Sequence, residues 1–159
     1  VNLGSVLLWG FCATAVLTTC LAASQGLGLS RLSMPLILGA ALTADRRRAN
    51  LYGFALHMVN GWLFAVLYAL VFESWHRATW WLGATLGLAQ ALFILAAVMP
   101  LLPYVHRRMA SEDYGPNPTS QLEPPGFLAL NYGRLTPVAT ILAHLLYGGI
   151  LGAFYTLSA

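Results

Sequence analysis

"HMVNGWLFAVLY", residues 57–68, and "HLLYGGILGAFY", residues 144–155, decide how this chain is read. Each begins with His, has Gly four positions later and Tyr eleven positions later. Ala65 is matched by Gly152, and nearly every other position is apolar in both. The shared pattern is H-x3-G-x3-[AG]-x2-Y. Offsets of four, eight and eleven return to nearly one side of an α-helix. His57, Gly61, Ala65 and Tyr68 therefore form one stripe, and His144, Gly148, Gly152 and Tyr155 a second. Small residues four apart let helix backbones approach closely in lipid, so both stripes are expected to be helix–helix contact faces.

The surrounding composition says what solvent these helices meet. Of 159 residues, 58% are hydrophobic and only 8% charged, against about a quarter charged in soluble domains. A chain of this length buries so much apolar surface in lipid rather than in a core of its own. Four apolar runs, near 4–24, 51–72, 80–103 and 136–157, have the roughly 20 residues a bilayer requires. The expected fold is an all-α integral membrane protein, one domain over 1–159. Its four transmembrane helices form two similar hairpins, with repeat halves 1–72 and 80–159. Two spans per half make this a parallel internal repeat about an axis along the membrane normal. His57 and His144 then lie at similar depth, roughly 9–12 Å from the cytoplasmic ends of their helices at 1.5 Å per residue.

Every basic residue is Arg, and seven of the eight fall in two connectors: Arg31, Arg46, Arg47 and Arg48 in one, Arg107, Arg108 and Arg134 in the other. Arg77 stands alone between the middle runs, beside Trp75, Trp80 and Trp81 as interfacial anchors. The positive-inside rule places loops 25–50 and 104–135 in the cytoplasm and both termini outside it, in a bacterial inner membrane. The first run is too long for a signal-peptide core and is read as a retained helix. Val1 implies a processed or incomplete N-terminus. The short apolar pieces "MPLILGAAL" and "PGFLALNYG" suit interfacial or re-entrant segments.

Much chemistry is excluded. All five acids lie in connectors or at span ends, so no intramembrane carboxylate serves proton coupling. There is no Lys for a Schiff base, and no HExxH, GxSxG or phosphate-binding Gly loop. Cys12 and Cys20, eight residues apart on one helix, are about 12 Å apart along its axis and cannot pair. The few, divided basic groups give no nucleic-acid surface. A catalytic site is not expected.

The intramembrane polar residues admit three readings. In the first, His57 and His144 hydrogen-bond neighbouring helices, with Thr14, Thr18, Asn60, Gln90 and Tyr147 as possible partners. Asn60, which has no counterpart in the second stripe, is then the best candidate for a local bond. This fits a non-catalytic accessory subunit of a larger membrane complex, such as an electron-transfer or photosynthetic assembly, packed against lipids and other subunits. In the second, the two histidines are axial ligands of one haem b or a related tetrapyrrole in a cytochrome-like protein. In the third, the chain is a small transporter or channel subunit. The polar connector 104–135 adds a candidate docking loop for a protein partner through Tyr114, Pro116, Pro118, Phe127 and Tyr132. Its alternative is folding back on its own helices.

The two quoted helices, with "MPLILGAAL" before the first, resemble an uncharacterised group of small four-helix bacterial membrane proteins. The resemblance covers most of the chain but not Met109–Pro125. It implies a compact four-span unit and no particular activity.

Overall fold

The computed structural model describes residues 1–110 and 122–158. Helices joined by short connectors make up these residues, with no strand among them, and four helices are long and apolar enough to cross a membrane: Leu3–Gly26, Arg46–Ser74, Trp80–Val105 and Thr136–Phe154. In chain order, α1 (Leu3–Gly26) leads through the short α2 (Met34–Ala40) to α3 (Arg46–Ser74). Then α4 (Trp80–Phe93) passes through a π-helical turn (Ile94–Val98) into α5 (Met99–Val105). A short 3-10 segment (Phe127–Tyr132) precedes α6 (Thr136–Phe154). The third long helix is thus not regular. Pro100 and Pro103 each lack an amide and crowd the carbonyl four residues back, and the widened turn absorbs the mismatch just before them.

Local chemistry sets the helix starts. Asn2 caps α1 by accepting from the Ser5 amide at 3.0 Å, and Asp45 caps α3 by accepting from Arg48 at 2.7 Å. The Asp45 carboxylate offsets three arginines that sit at the unfavourable, positive end of the helix dipole. It lets α3 begin within the arginine run, several residues before its apolar stretch. At α2, Ser33 is the cap, and Pro35 occupies a first-turn position where its missing amide costs nothing.

Long helices pack as α3 on α1, α1 on α6 and α6 on α4, whereas the consecutive α3 and α4 are not closely packed. The short α2 lies against α3 and joins the end of α5. His106 Nε2 is 2.8 Å from the Ile37 carbonyl, and Arg108 donates to the Ala40 carbonyl at 2.7 Å. At the same Arg-rich end, Arg31 pairs with Glu123 at 2.9 Å, the Arg31 amide donates to the Tyr132 carbonyl at 2.7 Å, and Ser30 and Thr136 share a buried bond of 2.8 Å. At the opposite end, Glu73 accepts from the Tyr155 hydroxyl at 2.7 Å and from the Ser158 amide at 2.9 Å. Tyr155 in turn accepts from the Asn2 amide at 2.8 Å, so α1, α3 and α6 are tied at one point.

Candidate functional site

α3 and α6 run in the same direction, Gly61 level with Tyr147 and Glu73 level with Tyr155. Their backbones scarcely meet, and side chains fill the space between them. The Tyr147 hydroxyl donates to the Gly61 carbonyl at 2.5 Å. The Tyr147 ring meets Tyr68 edge-on at 5.5 Å, and Tyr68 donates to Gln90 Oε1 on α4 at 2.7 Å. These bonds join three helices in the middle of the apolar bundle. Beside them lies a partly open hollow of about 70 Å³ bordered by Thr14, His57, Asn60, Gln90, His144 and Tyr147. The π-helical turn contributes Ile94 to its wall, a placement such turns often have at functional sites.

The two histidines share that hollow but are not equivalent. His144 is buried, and its Nδ1 lies 2.8 Å from the Thr140 carbonyl. A carbonyl only accepts, so Nδ1 carries the proton and Nε2 is left as the acceptor of the neutral ring. His57 is half-buried, and its Nε2 is buried without a hydrogen-bond partner among the described residues. His57 also borders a second hollow of about 260 Å³ that runs past Thr18, Gln25, Ser33 and Asn50. It therefore stands in the wall between this cleft and the central hollow.

The two sequence stripes are used in different ways. On α6, a Cβ at Gly148 would fall on the Gly83 carbonyl, and one at Gly152 on the Thr79 carbonyl. Gly87 in turn faces the backbone of His144. On α3, Gly61 receives the Thr14 side chain of α1, and Ala65 lies against Gly10. Tyr68 and Tyr155 sit at the ends of an aromatic column through Phe72, with centroid separations of 6.2 and 5.7 Å. The pairing partners Gly83 and Gly87 form a G-x3-G of their own, "GATLG", outside the H-x3-G pattern. Gly39 and Gly53, which bring α2 onto α3 with the carbonyls of Ala49 and Pro35 in the way of any side chain, lie too far apart in sequence to form a local pattern.

Two expectations need correction. Among the described residues neither histidine bonds a neighbouring helix: His144 uses a carbonyl of its own helix, and His57 Nε2 finds no partner. Thr14 and Thr18 likewise donate to Gly10 and Thr14 carbonyls one turn back. A carbonyl four residues earlier is always within reach of such side chains, so it outcompetes the next helix. Asn60, expected to make a local bond, makes none among the described residues and is exposed. In the connector, Tyr132 is buried against the protein's own helices and donates to the Glu123 carbonyl at 2.6 Å, while Phe127 is 61% exposed. Burial, aided by the Glu123 carboxylate, pushes the Tyr132 hydroxyl up to about 12. Tyr114, Pro116 and Pro118 lie outside the described residues.

The central hollow does not fit a tetrapyrrole between His57 and His144. Pockets that enclose even drug-sized ligands run to about 300 Å³ or more, several times the 70 Å³ present. Nor do the described residues contain a group of three or more His, Cys, Asp or Glu placed to hold a metal ion. Compared with protein-family models, with curated proteins and with solved structures, the chain finds no match.

Proposed function

We propose that this chain is a multi-pass protein of the bacterial inner membrane that acts as a non-catalytic subunit of a membrane assembly. The observation that carries this is the use of its central polar groups. Tyr147, Tyr68 and Gln90 join α3, α4 and α6 to one another, and the hollow they leave is too small for a substrate of ordinary size. The long helices turn apolar side chains outward, among them Leu7 and Phe11 of α1, Leu63 and Leu67 of α3, Leu92 of α4 and Leu142 of α6. Such surfaces belong against lipid or other apolar helices. The arginine-rich end, holding the 25–50 and 104–135 loops, faces the cytoplasm, and Trp75, Trp80 and Trp81 mark the opposite interface. The two halves are read as a parallel repeat, with α3 and α6 as the corresponding helices.

The test is extraction of the native membrane in a mild detergent followed by native electrophoresis. Comigration with a complex much larger than the chain is expected. Migration as a free monomer, while other membrane complexes remain intact, would overturn the reading.

A second reading has its own support. The unpartnered Nε2 of His57, set between the cleft and the central hollow, suits transient passage of a proton or a small polar solute. Vesicles containing the purified protein and a pH-sensitive dye should then show proton leak that His57→Phe abolishes. Equal leak with both proteins removes this reading.

A further inference from the structure

α3 carries a second pattern, on the side away from α1. Leu56, Asn60, Leu63, Leu67 and Leu70 are spaced four, three, four and three residues apart, the spacing of a coiled-coil seam. All five are exposed, with Asn60 at the open rim of the central hollow. Leu56 is 36% exposed, Leu63 60%, Leu67 54% and Leu70 50%, and Asn60 is exposed among them. By contrast Gly61, Ala65 and Tyr68, on the neighbouring stripe, pack inward. The seam runs for about 21 Å at 1.5 Å per residue, most of the thickness of a bilayer core of about 30 Å. At one point in that length it presents a carboxamide with two donors, one acceptor and no bonded partner among the described residues. Lipid tails offer that amide nothing.

We propose that this face is where a second copy of the chain docks, α3 against α3, with the two Asn60 side chains paired at the centre. The proposal rests on the membrane-spanning reading above. The choice of occupant follows from the geometry. Two copies inserted with the same orientation are related by a two-fold axis along the membrane normal, and that axis brings each residue of a helix opposite itself. A carboxamide is self-complementary under this operation, since each NH₂ group donates to the other's oxygen. Four leucines spaced about it supply the knobs, and a single Asn in such a seam fixes register and a parallel two-stranded state. A cationic or acidic partner group would find no counter-charge on this face.

Cysteine cross-linking in native membranes tests this directly. In a Cys12→Ala, Cys20→Ala background, single cysteines replace Leu56, Leu63, Leu67 or Leu70, with Val59 and Val66 as controls elsewhere on α3. Oxidation should give a species of twice the chain mass from the seam positions and little from the controls. Adding Asn60→Leu should weaken the dimer about threefold to thirtyfold in a detergent dilution series, the span of one intramembrane side-chain hydrogen bond, and Asn60→Gln should restore part of the loss. No doubled species, cross-linking as strong from the controls, or capture of a different chain would each overturn the proposal. Resistance of the protein to alkaline carbonate extraction, read on the same membranes, separates these failures from a failure of membrane insertion.

Discussion

The seam between α4 and α6 and the seam between α1 and α3 are built from the same small-residue spacing yet close in different ways. Across α4–α6 the glycines meet glycines: Gly83 faces Gly148, and Gly87 faces the His144 backbone. Backbone touches backbone, and no side chain lies between to yield. Across α1–α3 the glycine of the stripe accepts a side chain, Thr14 entering at Gly61, while Gly10 meets Ala65 and Trp62. Trp62 also donates to the Leu7 carbonyl at 3.0 Å, a polar tie across the seam. One contact depends on the absence of atoms on both helices, the other on a fitted side chain. The first therefore cannot be repaired from the partner helix, whereas the second can.

The largest effect is expected at the first seam. Gly83→Ala places a methyl on the Gly148 carbonyl, and the two helices must separate along their length. A loss of about 3 kcal/mol, the upper end for overpacking, should appear in unfolding titrations in detergent. No substitution at Gly148 can relieve it, because that position is already the smallest residue. A loss below about 1 kcal/mol would mean that the seam is not closed backbone to backbone.

Gly61→Ala should cost about 1–2 kcal/mol, since the methyl meets the Thr14 side chain. Combining it with Thr14→Ala, which removes two of the three atoms in its way, should recover at least half of that loss. Failure of the double variant to recover would erase the distinction between the seams. Tyr147→Phe removes the one hydroxyl that links α6 to the Gly61 carbonyl and should cost about 1 kcal/mol. Tyr68→Phe in the same assay reports the bond to Gln90 and is expected to cost no more, its hydroxyl lying across the less closely packed α3–α4 side. The smallest expected change is none: the purified protein should show no Soret absorption. A redox-sensitive band there would mean that α3 and α6 part far enough to admit a macrocycle.

Particular residues show what the linear order made legible. The four long apolar helices came from run length alone, because a bilayer sets both the length and the composition of whatever crosses it. Asp45 before three arginines reads as a helix cap once α3 is allowed to start there, but the apolar threshold alone starts the helix at residue 51. The Pro100 and Pro103 pair signals a disturbed helix, though not that a π-helical turn absorbs it. The stripe at His57 and His144 marked both helices as contact faces. It did not say which helix each would meet, since periodicity identifies a face and never its partner.

Sequence by itself determined the four long apolar helices and the arginine asymmetry. These depend on side-chain type and spacing along one helix at a time. Only the tertiary structure decided that Gly148 meets Gly83 while Gly61 meets Thr14, that His57 borders two hollows while His144 is bonded to its own helix, and that Asn60 stands at the exposed rim of the central hollow. Each of those facts depends on how far one helix is rotated relative to another. A rotation of one residue, about 100°, exchanges the buried and exposed sides without altering the pattern from which the sequence is read.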